Sequence, residues 1–344
     1  MYRMLSFMTS TVGSAMTKLI LIPLLIVTMP VLADHPTVAF GDDASGPIIT
    51  IAAPTMQGGS WGAGIRTEVI ENDAFSDQNL ANYADQDIEG VHSVDRIINT
   101  SLAVGYGVTD DLTVSIRLPY VERKNIREGE IEDGEAEAHA HGDSSGLGDI
   151  LLFSQYRVLK LDNTDVAIHL GIKAPTGETD DKDDADHRFE TEFQPGTGSW
   201  DYLIGGAISH VRDKFGYHAN VLFNKTNEGS QSTEIGDILS YNLAMTYQLN
   251  GEDHSEHNHV HTDSTAIKWD AIIELNGETR RRNKIGGLSE QHSGGTALFI
   301  APGLRVSAGK LGGFISLALP VVENMNGKQT DIDARIVAGF SLSL

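Results

Sequence analysis

In the stretch Leu112-Thr113-Val114-Ser115-Ile116-Arg117-Leu118-Pro119-Tyr120, every second side chain is apolar. Successive side chains of a β-strand point to opposite faces, so this alternation predicts a strand with one apolar and one polar face. The same alternation recurs in residues 166–172, 239–249 and 267–275. Because no convincing amphipathic helix accompanies these segments, the sequence predicts an all-β fold.

Twelve segments of this kind can be counted, and the gaps between them alternate in length. The candidate strands are residues 60–70, 95–106, 112–122, 149–158, 165–174, 200–211, 216–226, 237–249, 265–278, 296–306, 313–322 and 333–344. The gaps after the second, fourth, sixth and tenth strands are tight, whereas gaps such as 123–148 and 175–199 are long. Short turns on one side and long loops on the other are typical of outer-membrane barrels.

Alternation alone also fits a water-soluble β-sandwich, whose apolar face packs against a core. Two further features favour a membrane barrel. Aromatic residues lie near segment ends, as a girdle at the lipid headgroups requires: Tyr106, Tyr120, Tyr156, Trp200, Tyr202, Tyr217 and Trp269. Residues 335–344 are apolar at alternate positions and resemble the C-terminal strand that the outer-membrane assembly machinery recognises. The sequence predicts a transmembrane antiparallel up-and-down β-barrel of about 12 strands.

Residues 1–33 differ from the rest of the chain, because they carry an apolar run, two basic residues and no acidic residue. Pro23 and Pro30 interrupt them, and the run is shorter than the ~20 residues that a membrane-spanning helix needs. They end in the small and apolar pattern that a signal peptidase reads. We predict a signal peptide over residues 1–33, an N-terminal periplasmic segment over 34–59 and a barrel over 60–344. Alternatively, residues 34–59 could form a plug or an extra strand.

The 344 residues include no cysteine and carry a formal net charge of −23 at pH 7. No disulfide framework, thiolate metal site or cysteine nucleophile can therefore form. An exported chain of this size without cysteine is typical of the Gram-negative envelope. The acidic excess repels a phosphate backbone, which argues against nucleic acid as a partner. We expect the outer membrane as the location, with membrane lipid, lipopolysaccharide and the assembly machinery as partners.

Glycine-containing motifs follow one another along the chain. They are Gly105-Tyr106-Gly107-Val108-Thr109-Asp110-Asp111-Leu112 with Leu118-Pro119-Tyr120, then Gly146-Leu147-Gly148-Asp149-Ile150, Gly171-Ile172-Lys173-Ala174-Pro175-Thr176-Gly177 and Gln194-Pro195-Gly196-Thr197-Gly198-Ser199-Trp200-Asp201. In this order and spacing the chain resembles the meta-pathway phenol-degradation family of outer-membrane transporters, over about residues 95–344. The resemblance implies a barrel that passes small, often aromatic or hydrophobic, molecules. Each motif also has a structural interpretation, because Gly and Asp form tight turns and Pro ends strands.

Charged side chains on the predicted polar faces would line the pore: Arg117, Arg157, His169, Lys173, Lys268, Asp270, Glu274, Arg305 and Arg335. Charges along a pore set its ion preference, so the basic ones suggest weakly anionic or aromatic solutes. The same side chains could instead pair and plug the interior, leaving a closed barrel that only stabilises the envelope. A barrel of this size is intermediate between filled and open barrels, so both alternatives stay open. We expect passive passage of a small-molecule solute without a cofactor.

Four histidines lie close together in one gap: His254, His257, His259 and His261. Imidazoles beside carboxylates suit zinc or copper, and the strand count places this gap on the periplasmic side. An envelope metal-binding protein with a barrel anchor is therefore the alternative function. Two acidic gaps, 128–143 and 180–187, would lie outside, where carboxylates could gather cations that bridge lipopolysaccharide. A solvated loop is the simpler interpretation of both.

No catalytic motif fits its required context. The run Gly142-Asp143-Ser144-Ser145-Gly146 matches G-x-S-x-G, but a nucleophile elbow needs a strand before it and a helix after it. Here a charged loop precedes the run and a strand follows it. An outer-membrane phospholipase also uses a twelve-stranded barrel, with its catalytic residues on the outer face, whereas His169 and His218 fall on the predicted lumen face. We predict that the protein is not an enzyme.

Overall fold

The computed structural model of the protein describes residues 46–88, 90–250 and 267–344. Its strands are β1 (Trp61–Asp73), β2 (His92–Ser93), β3 (Arg96–Thr109), β4 (Leu112–Glu132), β5 (Glu135–Leu147), β6 (Ile150–Leu161), β7 (Thr164–Ala174), β8 (Asp201–Arg212), β9 (Phe215–Lys225), β10 (Thr233–Glu234), β11 (Ile238–Gln248), β12 (Ile267–Arg280), β13 (Lys284–Ile285), β14 (Leu288–Ser289), β15 (Gly295–Ala308), β16 (Leu311–Met325) and β17 (Asp331–Ser343). Helix α1 spans Asp77–Asp85, and a 3-10 turn spans Ser230–Ser232. In this part of the chain no helix is long and apolar enough to cross a membrane.

Twelve long strands close into one antiparallel barrel. Around the barrel they follow the order β1, β3, β4, β6, β7, β8, β9, β11, β12, β15, β16 and β17. The first and last strands close it, since Gly62 of β1 pairs with Ser343 of β17 and Asp73 pairs with Asp331. Closure leaves no strand edge that would expose unsatisfied backbone groups to lipid. The predicted twelve-stranded up-and-down barrel is confirmed.

The two ends of the barrel differ in the length of their connections. Two-residue turns join β3 to β4, β6 to β7, β8 to β9 and β15 to β16 at one end, which we call the turn end. Connections at the other end, the loop end, include residues 175–200 and 281–294. The predicted alternation of short and long gaps is confirmed. The predicted signal peptide and the His-rich gap lie outside the described residues.

The predicted loop 123–148 is instead a long hairpin, so that prediction is wrong. Strand β4 continues to Glu132, and β5 returns from Glu135 to Leu147. Strand β5 then leads into β6. Near the turn end β4 pairs with β6 through residues 112–117, and near the loop end it pairs with β5 through residues 120–132. Most residues of this hairpin beyond Val121 are charged or polar, and the alternating apolar positions of β5 are only alanines (Ala136, Ala138 and Ala140), so its apolar face is much weaker than that of the other strands.

The outer surface of the barrel is apolar along the middle of its strands. Leu170, Ile204 and Leu243 are 53%, 60% and 56% exposed. Exposed aromatic rings lie toward the strand ends: Trp61, Tyr120, Tyr156, Trp200, Tyr202, Tyr217 and Trp269. Tyr106 is half-buried because its ring packs on Trp61, with centroids 4.6 Å apart. An apolar band bordered by aromatic rings is the lipid-facing surface of a transmembrane barrel.

The interior of the barrel also contains an apolar core. It combines residues of the barrel strands with Ile48, Ile49, Phe189 and Phe193, which lie outside them. The expectation of polar inner faces therefore holds only in part. Residues 46–58 and the loop 175–200 enter the lumen and bury apolar side chains there, away from water.

Helix α1 lies on the β4–β5 hairpin at the loop end. Its first turn is capped by Ser76, whose side chain accepts a hydrogen bond from the Asn79 backbone nitrogen. The helix buries Leu80 and Ala84. A Cβ on Gly129 of β4 would lie 2.2 Å from the Leu80 carbonyl oxygen, so only glycine lets the helix approach the strand this closely.

Candidate functional site

Residues 46–58, which we call the lumen segment, lie inside the barrel, where the plug alternative would place them. Two buried charged side chains hold its first part. The Glu274 carboxylate on β12 accepts hydrogen bonds from the backbone nitrogens of Ile49 and Thr50, both at 2.9 Å. Arg305 on β15 donates to the Pro47 carbonyl at 2.7 Å. Two of the predicted pore-lining residues thus hold the lumen segment.

Uncharged polar side chains hold the next part of the lumen segment. Asn220 Oδ1 accepts from the Ile51 nitrogen and Ser209 Oγ accepts from the Ala53 nitrogen, both at 2.9 Å. Gln155 Nε2 donates to the carbonyls of residues 52–54 at 2.7 to 3.0 Å. These three wall residues are not among the residues predicted from the sequence. They are uncharged, and their polar position within the apolar–polar alternation of β6, β8 and β9 is the signal that could have identified them.

The lumen segment ends beside the turn end of the barrel. The Met56 nitrogen donates to Thr113 Oγ1 at 2.8 Å, and the Gly58 nitrogen donates to Asp110 Oδ1 at 2.9 Å. The segment therefore contacts β15 and β12 on one side of the lumen and the β3–β4 turn on the other. It crosses the barrel before the chain enters β1.

The remaining predicted pore-lining residues occupy different environments. Five are buried on the inner face of the barrel: Arg117, Arg157, His169, Asp270 and Arg335. The Arg335 guanidinium lies 4.3 Å from the Phe299 ring centroid, and Arg157 forms a 2.9 Å ion pair with Asp111. Lys268 is exposed near the turn end. That these side chains line the route of a solute stays a prediction.

Three of the sequence motifs meet at one place on the inner wall, which we call the Asp149 node. Asp149 Oδ2 accepts from Lys173 Nζ at 2.8 Å and from the Thr197 nitrogen at 3.0 Å. Asp149 Oδ1 accepts from the Gly177 nitrogen at 2.9 Å. Lys173 also lies 2.8 Å from Asp201 Oδ2. The node ties the start of β6, the end of β7 and the loop 175–200 together.

Two glycines of these motifs lie back to back in the Asp149 node. A Cβ on Gly177 would lie 2.8 Å from the Gly196 Cα, and a Cβ on Gly196 would lie 2.7 Å from the Gly177 Cα. Such distances leave no room for a side chain at either position. At these two positions the glycines of the motifs are therefore explained by the close approach of two backbone segments.

A cavity of about 270 Å³, which we call the chamber, occupies the loop-end half of the lumen. Its apolar lining includes Ile70, Ile97, Val121, Leu151, Phe193 and Leu203. Polar lining residues include Asn99, Arg117, Lys173 and Asn224. The volume exceeds the ~150 Å³ of an apolar protein cavity that binds benzene. The chamber is large enough for a molecule with one aromatic ring.

His92 lies at the edge of the chamber among three carboxylates. Its Nε2 is 3.0 Å from Glu128 and 3.8 Å from Glu190, and its Nδ1 is 3.8 Å from Glu192. Burial by itself lowers the pKa of His92, but the Glu128 hydrogen bond and the three negative charges raise this pKa to about 9. The charged imidazole attaches the loop 175–200 to the β4–β5 hairpin.

Asp237 is a buried carboxylate that precedes β11 at the loop end. Its oxygens lie 2.9 Å from Lys225 Nζ and 3.1 Å from an Arg281 guanidinium nitrogen. Burial by itself raises the pKa of Asp237, but the bonds from Lys225 and Thr226 bring this pKa below its usual value. A carboxyl whose pKa is lower in the folded than in the unfolded protein stabilises the fold at pH values above the unfolded pKa. That stability is lost as the pH falls through the folded pKa.

We expect Asp237→Asn to lower the free energy of unfolding by ~1–3 kcal/mol at pH 7, because Lys225 and Arg281 lose their counter-charge and the buried Thr226 nitrogen loses a charged acceptor. At an acidic pH below the folded pKa of this carboxyl the wild-type side chain is protonated as well, so the difference between the two proteins should shrink. Denaturant unfolding in detergent at both pH values measures this. Asp333→Asn, at an exposed carboxylate, is the control. An equal loss at both pH values would contradict the electrostatic explanation.

Comparisons with known proteins add the following findings. Residues 72–301 match the family model described as "Putative MetA-pathway of phenol degradation". An outer membrane channel from Pseudomonas putida F1 is 17% identical with a TM-score of 0.54, covering 85% of this chain and 98% of that chain. The Pseudomonas putida toluene transporter TodX is 7% identical with a TM-score of 0.42, covering 88% and 97%. No curated protein matches the sequence.

The first of these structural likenesses shows that the two chains share the barrel fold. The family match covers more than half of the chain and includes the Asp149 node and most of the wall that holds the lumen segment. The resemblance that the glycine motifs indicated is confirmed. The chain belongs to the family described as the MetA pathway of phenol degradation.

Proposed function

We propose that the protein is an outer-membrane channel for the passive passage of small organic molecules, including aromatic and hydrophobic ones. The chamber is the observation that carries this proposal. It is an internal cavity of a transmembrane barrel, and its wall combines Ile97, Val121 and Leu203 with a few polar side chains. Pockets of this composition bind small apolar molecules and orient them through their polar groups. The phenol-degradation family and the channel from Pseudomonas putida F1 support the same function.

In this proposal residues 1–33 are a signal peptide that directs export and is then removed. The assembly machinery inserts the barrel, and lipid and lipopolysaccharide surround its apolar band. Barrels of this type place short turns in the periplasm and long loops outside. The turn end therefore faces the periplasm, and the chamber lies on the external side.

The proposal includes no covalent chemistry. Ser144, the central residue of the G-x-S-x-G match, lies within β5 and is buried. Its hydroxyl donates to the Phe193 carbonyl at 2.6 Å, so it supports the loop 175–200 rather than facing a substrate. The comparisons with known proteins give no support to metal binding by the His-rich gap as the main function.

A solute that leaves the chamber toward the periplasm must pass the lumen segment. The segment is held along most of its length by the wall contacts of Glu274, Arg305, Asn220, Ser209 and Gln155. Because the segment crosses the lumen and these wall contacts are hydrogen bonds, which can break and re-form, we infer that passage requires its displacement. A covalent bond between the segment and the wall should then block the channel.

The paired variant Ala53→Cys with Ser209→Cys tests this inference. The Ala53 nitrogen lies 2.9 Å from Ser209 Oγ, and the chain has no other cysteine. We expect the oxidised protein in liposomes to pass benzoate at less than about a tenth of the wild-type rate. This corresponds to a disulfide that disfavours the conducting state by more than ~1.4 kcal/mol. Reduction should restore the rate. Each single variant is a control, and unchanged flux in the oxidised protein would show that the solute uses another route.

A further inference from the structure

A histidine on the β4–β5 hairpin faces two carboxylates without a hydrogen bond to either. His141 Nε2 lies 3.8 Å from Glu128 Oε2 and 3.9 Å from Glu130 Oε1. Both separations exceed the ~2.7–3.2 Å of a hydrogen bond. The His141 Nε2 atom is also buried, and it has no hydrogen-bond partner among the described residues. A buried ring nitrogen that faces two carboxylates at this distance suits a cation bound between them.

The spacing of these three side chains suits a metal ion. Two ligands that each bind a tetrahedral zinc ion at ~2.0–2.2 Å lie roughly 3.3–3.6 Å apart. The separations of His141 from Glu128 and Glu130 are only slightly longer, and all three ligand atoms lie within 4.8 Å of one another. Small side-chain rotations would bring them to the coordination distance. A cation would also offset the repulsion between the two carboxylates.

Neighbouring side chains already orient these groups. His141 Nδ1 lies 3.4 Å from Asp183 Oδ2 in the loop 175–200. Metal-binding histidines commonly donate their second ring N–H to a carboxylate, which leaves the other nitrogen free for the metal. The Asp183 side chain is itself fixed in position, since its Oδ1 accepts a hydrogen bond from the His187 backbone nitrogen at 2.7 Å. Glu128 accepts a 3.0 Å hydrogen bond from His92.

We propose that His141, Glu128 and Glu130 bind a divalent transition-metal ion of the zinc class, with water completing the coordination. One imidazole and two carboxylates form a ligand set that zinc accepts, whereas calcium and magnesium prefer oxygen ligands alone. The site lies at the loop end. It is therefore separate from the His-rich gap 254–261, which was predicted on the periplasmic side.

The ion would connect two parts of the external structure. Glu128 and Glu130 belong to β4 and His141 belongs to β5, while Asp183 links the imidazole to the loop 175–200. The same loop supplies Phe193 to the chamber lining. Metal binding would steady the loop on the hairpin and thereby the external wall of the chamber.

Zinc titration of the full-length protein in detergent, followed with a chromophoric zinc indicator, tests the proposal. His254, His257, His259 and His261 are replaced by Asn in every sample, so that the His-rich gap contributes no binding. We expect one zinc ion per chain with this background. His141→Ala and Glu130→Gln should each weaken zinc binding by more than about tenfold, since even residues that only orient ligands contribute about 10–100-fold.

His139→Ala is the matched control, because His139 lies two residues away on the same strand and its side chain is 42% exposed. It should leave zinc affinity unchanged. Cobalt substitution gives a second readout, with a visible absorption band in the His139→Ala protein and none in the His141→Ala protein. Heat-dependent migration on gels verifies that each variant forms the barrel. Equal zinc affinity in the His141→Ala protein, or no zinc binding with this background, would overturn the proposal.

Discussion

Deletion of residues 46–57 should raise the rate of benzoate flux through the barrel in liposomes by about tenfold or more. These residues cross the lumen, and Glu274, Asn220, Ser209 and Gln155 hold them by hydrogen bonds. Each such bond contributes ~1 kcal/mol net, so displacing the segment in the wild-type protein costs several kcal/mol. A conducting state that needs this displacement is rarely populated, whereas deletion makes displacement unnecessary.

A graded series separates the effect of the lumen segment from damage to the barrel. Glu274→Ala keeps the segment but removes the carboxylate that accepts from Ile49 and Thr50, so flux should rise by a smaller factor. Glu71→Ala removes a carboxylate whose partner is Arg96 on the neighbouring strand, and it should leave flux unchanged. Flux of the deletion variant at the wild-type rate, with a barrel that still migrates normally on gels, would show that the lumen segment does not limit passage.

Lys173→Met should lower the free energy of unfolding by ~3–5 kcal/mol. The Lys173 ammonium lies 2.8 Å from both Asp149 and Asp201, whose side chains are each only 3% exposed. Removing the cation leaves two buried carboxylates close together without a counter-charge, which is far more costly than losing a surface ion pair. Denaturant unfolding in detergent measures the difference from the wild-type protein.

The control for this substitution is Lys268→Met, because Lys268 is exposed near the turn end. It should change the free energy of unfolding by less than about 0.5 kcal/mol. Combining Lys173→Met with Asp149→Asn should restore part of the lost stability, since one of the two unpaired charges is then removed. Additive losses in the double variant would show that packing of the lysine stem, not its charge, stabilises the Asp149 node.

The positions of the barrel strands followed from the sequence to within a few residues, except that β4 extends ten residues beyond its predicted end at 122. The stretch 112–120 and its relatives alternate strictly, because lipid on one side and the lumen on the other require different side chains at successive positions. The β4–β5 hairpin gives a weaker signal. Its alternating apolar positions in β5 are only Ala136, Ala138 and Ala140, which mark an apolar face far less clearly than Leu, Ile or Val.

The Asp149 node shows what the sequence left undetermined in the site. The motifs that contain Asp149, Lys173 and Thr197 were all recognised, but their meeting at one carboxylate was not. Their separation along the chain gives no local signal of contact, since only the arrangement of β6, β7 and the loop 175–200 brings them together. The sequence predicts Lys173 as a pore-lining charge, and only the structure adds that it pairs with Asp149 and Asp201.

By itself the sequence determined the twelve barrel strands and the membrane barrel, because the alternation of side chains is a local property that each of these segments carries independently. Only the tertiary structure decided what occupies the lumen. The N-terminal segment was compatible with a periplasmic position, a plug or an extra strand, and the hydrogen bonds from Ile49 to Glu274 join residues 225 positions apart. Such a contact depends on closure of the whole barrel, which brings β12 beside the lumen segment.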